Sequence, residues 1–216
     1  MQLIAMVGSL GALLFIYAVA RRTAGLSMNI VLLAGVTIGI FTGALIMLVR
    51  YLASPYFVVS MDRWLMGGVD VVGYSELGSL MPFLLPAMAV MLPLAPALNL
   101  LSLGEDMAAG HGVDVPAVQR QTLIAGGVAT ASVVSLTGPI GFVGLIIPHI
   151  VRGISGSDQR VVLPASFALG GTFLVVCDTF ARVVRAPTEM PVGIITAMIG
   201  GPVFICLLLR QTRRMG

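Results

Sequence analysis

Lysine is absent from this sequence, and charge of either sign is scarce: 12 arginines and nine acidic residues make up 10% of its 216 residues. An ordinary soluble domain has about a quarter of its residues charged, whereas this chain is 58% hydrophobic. Long stretches carry no charge at all, and an unpaired charge in hydrocarbon is unfavourable by at least a few kcal/mol. The composition predicts an integral membrane protein rather than a soluble protein with an unusually large apolar core.

Motifs of catalysis are missing as well. The sequence has no P-loop, no HExxH zinc motif and no Gly-x-Ser-x-Gly motif. Cys177 and Cys206 lie in apolar stretches, so we expect two buried hydrophobic side chains and no disulfide. His111 has no neighbours at metal-ligand spacing. We therefore expect a chain without enzyme activity, metal site or cofactor. The net charge of +3 comes from arginines near the ends of apolar stretches, which indicates membrane orientation rather than nucleic-acid binding.

Seven apolar stretches are candidate membrane spans: residues 2–20, 29–49, 80–101, 122–136, 140–151, 162–180 and 192–209. About 20 apolar residues cross a bilayer core, and the fifth stretch is too short to cross alone. With the fourth it forms either one long bent helix or two helices separated at Thr137-Gly138-Pro139. Gly-Pro favours the break, because proline removes a donor and clashes with the preceding turn. The sequence thus predicts an all-α, polytopic helical bundle of about seven spans.

The distribution of arginine gives the direction of these spans. With seven spans, eight arginines lie on one side, namely Arg21, Arg22, Arg120, Arg152, Arg160, Arg210, Arg213 and Arg214. The other side has four, namely Arg50, Arg63, Arg182 and Arg185. The arginine-rich side is expected to be cytoplasmic. If the fourth and fifth stretches formed a single span, arginine would no longer be concentrated on that side. We expect a cytoplasmic carboxyl terminus, an external amino terminus that is a span rather than a signal peptide, and further spans upstream.

Ionisable residues are rare within the spans, since only His149 and Asp178 lie near one, each towards an end. A secondary transporter usually keeps such residues in mid-membrane for its coupling ion. A transporter with neither an ion site nor a nucleotide site must take its energy from a partner. This reasoning indicates a cytoplasmic ATPase that presses on a cytoplasmic loop.

Three connections are long enough to matter. Residues 50–79 are external and are expected to hold a short interfacial helix. Residues 178–191 are external and rich in charge. Residues 102–120 are cytoplasmic and the most polar part of the chain. In this last segment, residues 104–110 predict a short helix with acids in its first turn, and Pro116 is expected at the first position of a second helix. Two short helices would make a rigid knob for a partner's groove; an ordinary solvated loop is the alternative.

Glycines recur every four residues at Gly35, Gly39 and Gly43, so they share one face of a helix and allow close helix approach. Static packing is one interpretation of this face. Helices that rock against each other during transport are the other.

Several blocks carry a resemblance to a known family. GPIGFVGLIIPHIVR (138–152) resembles the signature of the FecCD-type permease subunits of bacterial ABC importers for ferric siderophores, haem and cobalamin. LNLLSLGEDMAAGHGVDV (98–115) resembles that family's coupling loop, and LLAGVTIGIFTGAL (32–45) resembles its fifth span. SGSDQRVVLPAS (155–166), Asp178 with Arg182, and EMPVGIITAMIGGPVF (189–204) follow in the family's order. The signature residues here are Gly138, Pro139, Gly141, Gly144, Pro148, His149 and Arg152.

The resemblance implies a permease fold of about ten spans, of which residues 1–216 form a single, N-terminally truncated transmembrane domain with Met1 in the fourth span. It also implies a homodimer with the pore between the copies. A cytoplasmic ATP-binding subunit would dock on residues 102–120, which we call the coupling segment, at or near Gly104, Glu105, Asp106, Ala108, Gly112 and Val113. A periplasmic or lipoprotein substrate-binding protein would dock outside on Arg182 and Arg185. An i,i+4 pair with Asp178 is the alternative role for Arg182, and both roles are compatible.

The expected function is therefore that of a multi-pass permease subunit in the bacterial inner membrane, passing an iron complex with ATP hydrolysed by a partner. A ferric siderophore is the first expectation for the cargo, ahead of haem and cobalamin. Expected partners are the ATP-binding subunit, the binding protein, a second permease copy and membrane lipid, with no nucleic acid. An ion-coupled carrier and an intramembrane enzyme are the alternatives, and neither the mid-span acid nor the buried catalytic pair that they need is found.

Overall fold

The computed structural model describes residues 2–22, 28–69, 73–184 and 190–215, and the regular structure in these ranges is entirely helical. The ten helices are α1 (Gln2–Arg22), α2 (Met28–Leu52), α3 (Pro55–Leu65), α4 (Tyr74–Met91), α5 (Ala95–Leu101), α6 (Glu105–Gly110), α7 (Val115–Thr137), α8 (Val143–Ser155), α9 (Gln159–Val184) and α10 (Val192–Met215). The predicted all-α class is confirmed. A helix or a pair of helices lies at each of the seven apolar stretches, and α3 is the short helix expected within residues 50–79.

Two helices are long and apolar enough to cross a membrane by themselves, Val31–Leu52 within α2 and Gln159–Val184, which is α9. The pair α4 and α5 makes a third if it is counted as one span. Shorter apolar helices cover Ile4–Val19, Val143–Ser155 and Val192–Leu207. The count of seven spans stays a prediction.

The third stretch is not one continuous helix, because α4 and α5 meet at a bend of 55°. Pro93 has no N–H to donate, so the helical ladder is interrupted there. Beside it, the Leu94 and Ala95 N–H groups donate to carbonyls only three residues back, at 3.2 Å each. This tighter turn redirects the chain before the coupling segment begins.

The break between the fourth and fifth stretches is confirmed, since α7 ends at Thr137 and α8 begins at Val143. Gly138 has a φ of 69°, and Phe142, which precedes α8, has a φ of 68°. Two residues in the left-handed region interrupt the helix, because a continuous right-handed helix does not contain them.

The chain divides into two compact units, residues 1–62 with 74–136, and residues 63–73 with 137–216. In the first unit α1 packs on α2, and the Leu13 side chain fills the space beside Gly127. None of the Val31–Leu52 span is buried. If Gly35, Gly39 or Gly43 carried a Cβ atom, that atom would contact no neighbouring segment of the described structure within 4 Å. The face of α2 that carries these glycines is therefore open.

The second unit is built on α8, α9 and α10, which contact one another. One core cluster joins Cys177, Ala181, Val192 and Ile195, and a second joins Ile147, Val151 and Val162. Phe173 packs against both clusters. Both cysteines are free, and Cys177 is buried as expected. Cys206 is exposed, so the prediction of a buried side chain is wrong there, because no described helix covers its side of α10.

Candidate coupling and docking sites

Two glycines shape the coupling segment. Gly104 precedes α6 with a φ of 122°, and Gly112 follows it with a φ of 81°; side chains rarely adopt such values, whereas glycine does so at little cost. After the helix, the Gly112 N–H donates to the Ala109 carbonyl at 2.9 Å and the Val113 N–H donates to the Ala108 carbonyl at 3.1 Å. These bonds satisfy the last carbonyls of α6 and fold the chain back sharply towards α7.

The second helix of the coupling segment is the beginning of α7. An Asp114 carboxylate oxygen accepts a hydrogen bond from the Ala117 N–H at 3.1 Å, which caps the helix. Val115 is the first helical residue and Pro116 the second, one position later than predicted. The expectation of two short helices is wrong in this respect, because the apolar stretch from residue 122 continues as helix back to residue 115. The knob is therefore α6, which contacts α5, together with the start of a 23-residue helix.

A side-chain contact ties the two parts of this knob together. The Gln119 Nε2 donates to the Glu105 Oε1 at 2.8 Å, across 14 residues of sequence. Ala108 of α6 is completely buried, so it supports the knob rather than offering a surface. Gly104, Asp106 and Gly112 are exposed, and Val113 is half-buried.

Two exposed apolar side chains in this segment were missed by the sequence-based prediction. Leu103 is 68% exposed and Met107 is 55% exposed. The sequence contained a signal for them, because both are large apolar residues close to the acids Glu105 and Asp106.

The external candidate Arg182 lies in the last turn of α9. Its Nε donates to the Asp178 Oδ2 at 2.7 Å, and its Nη2 donates to the Val69 carbonyl at 3.0 Å. The i,i+4 ion pair is therefore present, and a pair of this kind contributes about 0.3–0.5 kcal/mol. The bond to Val69 fastens α9 to a segment 113 residues away in sequence. Arg185 lies outside the described residues.

A second ion pair, within residues 50–79 and their preceding helix, was not predicted. The Arg50 Nη2 contacts the Asp62 Oδ2 at 2.9 Å and joins the end of α2 to α3. Both side chains are partly exposed, so the pair orients α3 more than it stabilises the fold.

The signature begins at a close meeting of three glycines, which we call the glycine junction: Gly67, Gly138 and Gly193. A Cβ at Gly138 would collide with the Trp64 carbonyl oxygen. One at Gly67 would collide with the Pro139 carbonyl oxygen, and one at Gly193 with the Met66 carbonyl oxygen.

Two hydrogen bonds hold the glycine junction. The Gly68 N–H donates to the Thr137 carbonyl at 2.8 Å, and the Gly193 N–H donates to the Gly67 carbonyl at 3.2 Å. The junction thus joins the segment after α3, the break between α7 and α8, and the start of α10.

The rest of the signature forms α8 and its approach. A Cβ at Gly141 or Gly144 would meet nothing within 4 Å. Pro148 lies inside the helix, and Arg152 lies in its last turn, where a cation suits the helix dipole. The His149 Nδ1 is 2.9 Å from the Leu145 carbonyl, and its ring meets Phe204 edge-on with centroids 6.4 Å apart. Within the motif, Gly138 is the residue at which close backbone contact requires glycine. In the described ranges no group of three His, Cys, Asp or Glu side chains is placed to hold a metal ion.

An apolar cleft of about 320 Å³ lies between α4 and α7. Its lining residues are Pro82, Phe83, Pro86, Ala87, Val90, Gln121, Ile124, Ala125 and Val128. Gln121 is the one polar side chain in this lining.

Together these helices form an all-helical membrane permease fold. A solved structure of a metal-chelate type ABC transporter in an inward-facing conformation superimposes with a TM-score of 0.87 and 29% identity, covering 95% of this chain and 65% of that one. Residues 1–210 match the FecCD transport family, and this chain belongs to that family.

Curated relatives agree with this assignment. The chain is 40% identical to the ABC transporter permease protein YvrB of Bacillus subtilis, covering 88% of this chain and 54% of the relative. It is 40% identical to the cobalamin import system permease protein BtuC of Halobacterium salinarum, covering 94% and 54%. It is 35% identical to the hemin transport system permease protein HmuU of Yersinia pestis, covering 96% and 62%. The chain spans between about half and less than two thirds of the length of these relatives.

Proposed function

We propose that this chain forms part of the membrane-spanning permease of an ATP-driven importer, and that it helps to pass a metal chelate across a bacterial inner membrane. The observation that carries the proposal is the match of nearly the whole chain to the fold of a metal-chelate type ABC transporter. ATP hydrolysis then belongs to a separate cytoplasmic subunit, and the chain itself catalyses no reaction.

The coupling segment is the proposed contact for that ATP-binding subunit. Its turns are fixed by Gly104 and Gly112, and α6 is held on α7 by the bond between Glu105 and Gln119. α6 also contacts α5, so a force applied to α6 reaches α5 by packing and α7 by this bond. In this arrangement the carboxyl terminus lies in the cytoplasm.

The external segments 50–79 and 178–191 are the proposed gate and docking surface for a substrate-binding protein. Arg182 offers a partly exposed cation there, with its side chain 38% exposed. A second permease copy completes the path, and the open face of α2 supports such a contact, because its three glycines allow another helix to approach closely.

The proposed cargo is a metal chelate. Two relatives are named for cobalamin and for hemin, and both of those molecules are metal chelates. A ferric siderophore remains our specific proposal for this chain. A competition experiment decides between a ferric siderophore, hemin and cobalamin. It measures which of the three, when added unlabelled, inhibits the uptake that depends on the binding protein.

The test of this function is uptake into proteoliposomes that contain the permease, its ATP-binding subunit and its substrate-binding protein. We expect accumulation of chelate only when ATP is present on the side of the ATP-binding subunit. An ion-coupled carrier would instead take up chelate without ATP and stop when an uncoupler is added, and that result would contradict the proposal.

Arg182→Glu is expected to weaken binding of the substrate-binding protein about ten-fold at low salt, with a smaller effect at high salt. The physical reason is that reversing an exposed charge removes electrostatic steering, which salt screens. The measurement is the dissociation constant of the binding protein on reconstituted permease at two salt concentrations.

Asp178→Asn is the matched control for this prediction. It removes the carboxylate that contacts the guanidinium but leaves the positive charge and its bond to Val69. Binding is expected to stay the same or become tighter. If both variants weaken binding equally, Arg182 acts only by holding α9 in place, and the docking role is wrong.

A further inference from the structure

The coupling segment exposes its largest apolar side chains beside acids. Leu103 and Met107 are each more than half exposed, although water is an unfavourable environment for both. Glu105, Asp106 and Asp114 lie in the same segment and are also exposed. Arg120, at the end of the segment, is exposed as well. The segment therefore has three acids against one arginine, and it is acidic and apolar at once.

Exposed apolar side chains next to acids indicate which kind of partner surface the coupling segment fits. The cytoplasmic leaflet of a membrane is anionic, and it repels acids while it attracts arginine and lysine. A pair of apolar side chains among three acids is therefore poorly suited to insertion into lipid headgroups. A protein pocket with an apolar floor and a basic rim accepts both features.

We infer that Leu103 and Met107 are the anchors by which the coupling segment binds the ATP-binding subunit, inserting into an apolar pocket that basic side chains surround. This inference rests on the proposed function and specifies the chemistry of the partner surface. Asp106 supplies charge to the rim of the contact. Glu105 is a positioning residue, because its carboxylate is engaged with Gln119 of the same chain.

The anchors are tested by truncation. Leu103→Ala and Met107→Ala are each expected to weaken binding of the purified ATP-binding subunit about ten-fold, because large apolar anchors carry most of the affinity of a contact. Ile154→Ala is the matched control, since Ile154 is 81% exposed on the side of the chain predicted to be cytoplasmic. That variant is expected to bind like the parent. Equal weakening by all three variants, or by none, overturns the inference.

The role of Glu105 is tested by a series of variants. Glu105→Gln keeps an oxygen that accepts from the Gln119 Nε2, so it is expected to preserve binding. Glu105→Ala and Gln119→Ala break the same bond and are expected to weaken binding by similar factors. The double variant is expected to be no worse than either single variant. Loss of binding in Glu105→Gln would show that the charge itself contacts the partner, and would overturn the positioning role.

A cross-link separates failure of this inference from failure of the proposed function. Ala109 is exposed on α6, so Ala109→Cys in a Cys206→Ser background carries one accessible thiol among the described residues. We expect it to cross-link to the ATP-binding subunit, and the yield to fall when Leu103 and Met107 are both alanine. A full yield without the anchors contradicts the inference but leaves the proposed function in place. No cross-link even with both anchors contradicts the proposed function.

Discussion

Gly138→Ala is expected to lower the thermal unfolding midpoint sharply or to prevent accumulation of folded protein. Alanine in the left-handed region is unfavourable by about 1–2 kcal/mol. Its Cβ would also collide with the Trp64 carbonyl oxygen, and forced overpacking adds about 1–3 kcal/mol. The sum is a large part of the roughly 5–15 kcal/mol by which a native protein is stable. The measurement is thermal unfolding of the detergent-purified protein, with the yield of monodisperse material.

Matched glycines serve as controls for this prediction. Gly141→Ala adds the same methyl group three residues later, where nothing lies within 4 Å, and is expected to change the midpoint little. Gly193→Ala adds the collision with Met66 inside a helix, without a left-handed φ, and Gly201→Ala is its control in the same helix. We expect Gly193→Ala to destabilise less than Gly138→Ala and more than Gly201→Ala. Equal midpoints for the variants at Gly138 and Gly141 would contradict the glycine junction.

Gly112→Pro is expected to abolish association with the ATP-binding subunit while membrane insertion remains intact. Proline fixes φ near −65°, whereas Gly112 has a φ of 81°. Proline also removes the N–H that donates to the Ala109 carbonyl. The turn that holds α6 on α7 cannot form, so the knob loses its shape. Co-purification of the ATP-binding subunit with the tagged permease measures the effect.

Gly112→Asn is the control, because asparagine adopts left-handed conformations more readily than other side chains. It is expected to retain most of the association. Glu105→Arg is expected to abolish association as Gly112→Pro does, because it removes the acceptor for Gln119 and places a cation on an acidic knob. Unchanged co-purification of Gly112→Pro would remove the coupling role from this segment.

The local features of the fold were predictable from the sequence. Runs of apolar residues indicated each long helix, and Gly138-Pro139 indicated the break before α8, because both signals act within one turn of backbone. The pair of Asp178 and Arg182 was predictable for the same reason, since residues four apart lie on one helix face. The bend before α5 was missed, although Pro93 was a visible signal for it.

Contacts between distant segments were beyond the sequence. Gly67 meets Gly138 and Gly193 across long sequence separations, and the bond from Arg182 to Val69 spans 113 residues. A membrane helix is apolar on its buried and lipid-facing sides alike, so periodicity does not indicate which side packs. The exposure of Cys206 was mispredicted for that reason. Leu103 and Met107 were missed because residues 102–120 were interpreted through their acids and glycines, as the most polar part of the chain.

The proposed docking residue Arg182 and the glycine junction are connected. Arg182, proposed to receive the binding protein, donates to Val69, and Gly67, two residues before Val69, belongs to the glycine junction. The junction in turn contains the first residue of the family signature. For Gly138 the junction is a physical reason to be glycine, because a Cβ there would collide with the Trp64 carbonyl oxygen.

The most direct test of the account is labelling of Ala109→Cys, in the Cys206→Ser background, with a membrane-impermeant maleimide in oriented vesicles. Labelling is expected only when the cytoplasmic face is outermost, and the ATP-binding subunit is expected to block it. A thiol that reacts from the opposite face, or that stays fully reactive when the ATP-binding subunit is bound, would contradict the claim that an ATPase drives this permease through its coupling segment.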